Sequence, residues 1–256
     1  MVTQETILEF HYKKGENNVG DMYCHPSHYF DLGNVTTDCI SKCTKYDLNN
    51  KTIIVGGGGL IRKYFNKYTA HIHKQDYKNL IVWGIGHNFS WKENFWWPDW
   101  LTKSTLYGVR DYFSNRQHDY LPCVSCMDPA FDKTYQVTKN TAFFLHRTES
   151  ANNYPESESV MHNTNTNLSE VIQFLGSANT VVTDSYHGAY WGLLLGKDVR
   201  VVSWTTKFEN FKYQPTLITS IEDWKNHKPV LYPEGYLEEC RTLNNKFYNR
   251  VKSLLK

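Results

Sequence analysis

The sequence predicts an α/β protein of two units, each built on a mostly parallel sheet. Two observations carry this. Short β-branched runs alternate with segments of helical period, the mark of parallel strands joined by crossover helices. That alternation stops in a polar stretch, Asp132 to Asn140, and then starts again. The break near residue 135 divides the chain into an N-terminal unit, 1–135, and a C-terminal unit, 136–235. A last segment, 236–256, comes after them.

Each element has its own signal. Ile7 to Tyr12 reads as a first strand, ended by the turn-rich run from Gly15 to Asp21, with a helix expected over Met22 to Asp31. Thr52 to Val55 is a buried strand that Gly56 to Gly59 terminate, and Leu60 to Tyr68 has helical spacing. Leu80 to Gly84 and Thr105 to Val109 are strands, and Asp111 to His118 is a short helix. Trp91, Trp96, Trp97 and Trp100 crowd one loop between them. After the break, Ala142 to Leu145 is a strand and Arg147 to Asn165 a long polar loop. Leu168 to Leu175 is a helix, and Val181 to Thr183 and Val199 to Ser203 are strands on either side of a helix that begins near His187. Tyr236 to Leu255 is amphipathic, with Leu237, Leu243, Phe247, Val251 and Leu254 near helical spacing.

Composition narrows the function. The chain has 256 residues, 40% hydrophobic and 21% charged, which suits a folded protein rather than a disordered one. A net charge of +2 gives no whole-molecule field for nucleic acid. The N-terminus has no basic, apolar leader, and no stretch is apolar enough to span a bilayer, so a cytoplasmic protein with reduced thiols is expected. The basic terminal helix offers two readings: rest on the inner face of an anionic membrane, or a solvated face over a packed one. Cys123 and Cys126 form a lone C-x-x-C without a second pair, and no Asp-x-Asp is present, so metal-independent chemistry is expected.

The densest stretch is Val181-Val182-Thr183-Asp184-Ser185-Tyr186-His187-Gly188. It reads as strand, tight turn and helix start. Ligands of open α/β sheets sit at such places, against free helix N–H groups. His187 there is either an acid/base group beside a bound anion or a surface histidine next to a helix cap. Gly56 to Gly59 either admit a ligand close to backbone, at Gly57 and Gly58, or serve a tight packing turn. Arg110 is either an anion clamp or the partner of a carboxylate such as Asp111. Asn18 and Asp21 lie on the first loop, as cleft groups or turn formers. The tryptophans are a sugar platform or core. Neither a P-loop nor a dinucleotide fingerprint is satisfied.

Four segments then line up: Asn18-Val19-Gly20-Asp21, Val55 to Gly59, Gly108-Val109-Arg110-Asp111 with Ser114, and Asp184 to Gly188. In this order they resemble the polysaccharide pyruvyl transferase family. Cys126-Met127-Asp128-Pro129 looks like that family's strand-end Asp-Pro, and Lys207-Phe208 its lysine after the last strand. The resemblance runs from about residue 15 to about residue 215.

The resemblance implies a fold, a reaction and a set of site residues. The two units would be Rossmann-like domains facing a cleft, in the arrangement of glycosyltransferase-B enzymes. The N-terminal domain would hold the acceptor, the C-terminal domain the donor, and the terminal helix would return to the first domain. The reaction would move the pyruvyl group of phosphoenolpyruvate onto a sugar of a glycan or glycolipid precursor, with no cofactor. His187 would be the general acid/base and Arg110 its catalytic partner. Ser185, Gly188, Arg147 and Lys207 would bind the donor, and Asn18, Asp21, Gly57 and Gly58 would line the acceptor side. Family members often have Arg where this chain has Ser185. That loss of a guanidinium leaves open a glycosyltransferase using a nucleotide-sugar donor. A non-catalytic carbohydrate binder is the third alternative.

Overall fold

The computed structural model describes residues 6–13, 18–90, 96–146 and 159–255, apart from the side chain of His118. Among these residues two five-stranded sheets form, and every strand pairing in both is parallel. The first sheet holds β1 (Ile7–His11), β2 (Val35–Cys39), β3 (Thr52–Gly56), β4 (Asn79–Ile85) and β5 (Leu106–Val109) in the order β2-β1-β3-β4-β5. The second holds β6 (Lys139–Leu145), β7 (Ser159–His162), β8 (Ala178–Thr183), β9 (Asp198–Val202) and β10 (Thr216–Ile218) in the order β10-β9-β8-β6-β7. Counted from its own first strand, each sheet runs 2-1-3-4-5. In that order the connections leave the first and third strands on opposite faces and open a crevice beyond their carboxyl ends.

The central strands are apolar because both faces are covered. Ile53, Ile54, Ile81, Val82, Val181 and Val182 are fully buried. Among the described residues six α-helices accompany them: α1 (Val19–Met22), α2 (Lys63–His73), α3 (Asp99–Thr102), α4 (Leu168–Gly176), α5 (Tyr186–Leu194) and α6 (Tyr236–Leu254). Every residue of α5 is buried, so it is apolar on all sides rather than amphipathic.

Helix α6 ties the two sheets together. Its Tyr236 and Cys240 join the core around α5, while Phe247 and Val251 pack with Ile54, Ile81 and Trp83 of the first sheet. Between them Asn244, fully buried, accepts from Trp83 Nε1 at 2.8 Å and donates to the Pro122 carbonyl at 3.2 Å. Arg241 is also committed to packing: its Nε donates to the Cys126 carbonyl at 2.9 Å and it pairs with Asp132 at 2.6 Å. No described helix is long and apolar enough to cross a membrane.

Several local expectations are corrected. The helix expected over Met22 to Asp31 is only α1 followed by a 3-10 turn, Pro26–His28. Pro26 has no N–H to give and its ring displaces the preceding turn. Helix α2 begins at Lys63, not Leu60, because Ile61 is drawn into a bridge with His87. Asp111 to Phe113 are not helical, and the segment expected there is a 3-10 turn, Ser114–Asp119. Asp128 ends no strand; it caps the Pro129–Asp132 turn by accepting from Ala130 N at 2.9 Å. Strands β2, β7 and β10 stand where none was expected, β7 inside the stretch read as a polar loop. All three lie on sheet edges, where one side of the strand needs no apolar cover, so they lack a hydrophobic run.

Candidate active site

The carboxyl ends of the two sheets meet at one cavity of about 470 Å³. The segments after β1, β3, β4 and β5 supply Asn18 and Asp21, Gly59 and Leu60, Asn88, and Arg110 to its lining. Those after β6, β7, β8 and β9 supply His146, Asn163, Ser185 to His187, and Trp204 with Lys207. Both crevices that the strand orders dictate therefore open into the same space.

Arg110 enters directly from the end of β5. It is 4% exposed, and its Cζ stands 3.5 Å from the centroid of the Tyr186 ring. No carboxylate among the described residues lies within ion-pair distance of it, and its Nε has no hydrogen-bond partner. Asp111 is occupied elsewhere: its Oδ2 accepts from His87 N at 2.7 Å and faces His87 Nδ1 at 2.9 Å. The ion pair weighed for Arg110 and Asp111 is therefore not made. Gly86 lies under the guanidinium, where a methyl group would come within 2.4 Å of Nε.

His187 lies in the first turn of α5, 6% exposed. Its Nε2 is 3.6 Å from Cys123 Sγ, and its ring lies 5.2 Å from that of Trp191. A methyl group on Gly20 would stand 2.0 Å from Nδ1, so α1 of the first unit rests directly on the imidazole. Burial, then the charges of Arg110 and Lys207, hold its basicity well below the usual histidine range. The imidazole is neutral.

Asp21 behaves in the opposite sense. Asn18 caps α1 through Gly20 N at 3.1 Å, and its Nδ2 donates to Asp21 Oδ2 at 3.0 Å. Burial raises the Asp21 carboxyl to about 6, although Arg110 and Lys207 pull it down. Lys207 is 8% exposed, with Nζ 3.9 Å from the Trp204 ring centroid. Trp204 in turn donates to the Asp184 carbonyl at 2.8 Å. Ser185 is the N-cap residue of α5, yet its side chain caps no N–H; instead Thr183 Oγ1 accepts from Ser185 N at 3.0 Å.

Arg110, His187, Ser185, Lys207, Asn18 and Asp21 thus share the cavity. Gly57, Gly58 and Gly188 do not line it. Gly57, at φ +63°, is pressed on Cys24, and Gly188 sits on Phe144 and Thr183. Gly58, at φ +75°, leaves room beside Asp21 Oδ1, 3.7 Å from where its side chain would start. Arg147 lies outside the described residues. Tyr12, Arg62, Tyr64, His146, Asn163 and Trp204 line the cavity without having been singled out. Tyr12 and His146, each the first residue past an apolar strand, were the legible ones among these. Trp96, Trp97 and Trp100 pack on the first unit's core and stand away from the cavity, while Trp91 lies outside the described residues. Among the described residues, no group of three or more His, Cys, Asp or Glu is placed to hold a metal ion. All six cysteines are buried thiols.

A family model described as polysaccharide pyruvyl transferase matches residues 9–206. No curated protein matches the chain. Among solved structures, a functionally uncharacterised protein from Klebsiella pneumoniae subsp. pneumoniae NTUH-K2044 is similar at 17% identity and a TM-score of 0.49. The match covers 83% of this chain and 93% of that one.

Proposed function

The chain belongs to the polysaccharide pyruvyl transferase family, and from that premise we propose that it moves the pyruvyl group of phosphoenolpyruvate onto a sugar of a glycan or glycolipid precursor. One observation carries the choice of donor. A buried guanidinium that makes no ion pair among the described residues shares a cavity with Lys207, the N-terminal N–H groups of α5 and a neutral imidazole. A buried guanidinium in no ion pair among the described residues suits a small polyanion, and a donor bearing both phosphate and carboxylate would engage it together with Lys207.

The chemistry divides between two titratable groups whose surroundings push them apart, the pattern that separates acid from base. Asp21, raised to about 6, is the acid that protonates the donor's methylene carbon. The adjacent carbon becomes oxocarbenium-like. A sugar hydroxyl attacks it and gives its proton to His187, which is neutral and so able to accept. A second hydroxyl of the sugar then displaces the phosphate. The carbon–oxygen bond to phosphate breaks, its electron pair leaves with the phosphate, and the second hydroxyl's proton goes with it. His187 returns the first proton to Asp21. Arg110 and Lys207 hold the anion throughout, and no step calls for a cofactor or a metal.

Two parallel sheets whose carboxyl ends meet at one cavity support a glycosyltransferase-B-like reading, with 1–135 on the acceptor side and 136–235 on the donor side. The enzyme would work in the cytoplasm, at the inner face of a membrane if its acceptor is a lipid-linked glycan. Incubation with phosphoenolpyruvate and a panel of sugars tests the proposal: phosphate release with gain of pyruvyl mass is expected. Ser185, which puts a hydroxyl where a second guanidinium would grip an anion, favours one other reading, a nucleotide-sugar donor. Thermal stabilisation by nucleotide sugars and not by phosphoenolpyruvate would decide for it.

A further inference from the structure

A second cavity, of about 610 Å³, opens on the other side of α1. Strands β1 and β2 and the Pro26–His28 turn wall it. A parallel strand covered on both faces is ordinarily apolar. Strand β1 instead places Glu9 and His11, two residues apart and so on one face, in the interior at 0% and 3% exposure.

Glu9 is paired within the protein. It accepts from Ser27 Oγ and from Thr37 Oγ1 at 3.4 Å, and it faces His25 Nδ1 at 3.6 Å. Burial pushes its carboxyl up, but His25 and Ser27 outweigh that and hold it below the usual range. Above this buried charge the rings are ordered: His11 stacks on His25 with centroids 4.6 Å apart and planes at 15°, and His28 meets His25 edge-on at 5.5 Å. His11 lines the cavity, and its Nδ1 has no hydrogen-bond partner among the described residues. A polar atom buried without a partner costs free energy that a bound ligand recovers.

The state of the rings selects the ligand. Burial, and then the charge of His25, lowers His11 to about 4 and moves His28 in the same direction. At about 4 the His11 ring is neutral near pH 7, with one donating and one accepting nitrogen. Hydroxyl groups, which also donate and accept, match that set. A carboxylate only accepts, and a phosphate, although it keeps a hydroxyl near neutral pH, brings a negative charge that a neutral ring does not meet. Lys42 adds little for an anion, because Asp38 already holds it at 2.8 Å.

The two cavities share a wall. Tyr12 lines the first, and its neighbours His11 and Lys13 line the second; Asp21 lines the first and Met22 the second. We propose that the second cavity binds a neutral sugar residue, the one next along the acceptor from the sugar in the cleft. The place of this sugar along an acceptor rests on the transfer reading; the sugar site stands on its own residues.

The test uses the full chain with labelled histidine rings, observed by NMR. The probes are glucose, galactose, mannose and N-acetylglucosamine, disaccharides of each, inorganic phosphate and phosphoenolpyruvate. At least one saccharide is expected to move the His11 and His25 signals saturably. His11→Phe should weaken that binding roughly tenfold, the scale of one hydrogen bond. His28→Phe, at a more exposed site, serves the same purpose if the first variant does not fold. Silence of these rings toward every saccharide, or movement with phosphate instead, overturns the proposal. Phosphoenolpyruvate acting on His187 in the same samples reports separately on the transfer reading.

Discussion

The guanidinium of Arg110 lies on the ring of Tyr186, 3.5 Å from Cζ to the ring centroid. Arg110 directly follows β5 of the first sheet and Tyr186 opens α5 on the second. The contact therefore joins the two sheets at the point where their carboxyl ends meet. It also explains how a buried cation is held without an ion pair among the described residues: the π face attracts it, by on the order of 0.5–2 kcal/mol, without neutralising the group toward a ligand. Arg110→Lys should lose the planar stack and the bidentate grip together. Titration with phosphoenolpyruvate should show at least a tenfold weaker Kd, about 1.4 kcal/mol, with little change in melting temperature.

His187→Ala should lower turnover by roughly 10²–10⁴-fold, the span of general acid–base groups. Phosphate release under saturating donor measures it. Turnover equal to that of the parent protein would remove His187 from the mechanism.

Gly20→Ala places a methyl group 2.0 Å from His187 Nδ1. The ring or α1 has to shift. Overpacking of this kind costs about 1–3 kcal/mol, so a modest fall in melting temperature is expected together with a large loss of turnover. Urea unfolding and the phosphate assay, run on one preparation, separate the two effects.

Asp21 gives a pH prediction whose sign is fixed. Its carboxyl is raised to about 6 in the folded protein against an ordinary 3.8, so the folded state binds the proton more tightly than the unfolded chain. The charged group then costs stability as pH rises from about 4 through about 6, and fully above that. Asp21→Asn should raise the melting temperature at pH 8 and leave it nearly unchanged at pH 3.5. The same variant should lose turnover at every pH. In the parent protein the acid form is depleted above about 6, so the rate should fall along an alkaline limb.

His11 titrates in the other direction. Burial lowers it to about 4 from 6.5, so the unfolded chain takes up its proton first. Stability should be full above pH 6.5 and fall as pH drops toward 4. His187, also lowered, adds to the same loss. His11→Phe should flatten the fall, as read from melting temperatures between pH 7 and pH 4.

Sequence alone determined the α/β class, the central strands and the family, because these rest on local signals. Ile53 to Val55 and Val181 to Thr183 are short β-branched runs of the kind a covered parallel strand needs, and the motifs around Asp21, Arg110 and His187 keep their order along the chain. The edge strands β2, β7 and β10 escaped, since a strand with one free side needs no hydrophobic run. The helix expected after Met22 failed at Pro26. Tertiary structure alone decided the rest. That Gly20 touches His187, that Asp111 turns to His87 and leaves Arg110 to Tyr186, and that Glu9 and His11 meet His25 are relations across long stretches of chain. The acid or base character of a side chain obeys the same rule. It is set by burial and by charges brought near in space, and spacing along a sequence encodes neither.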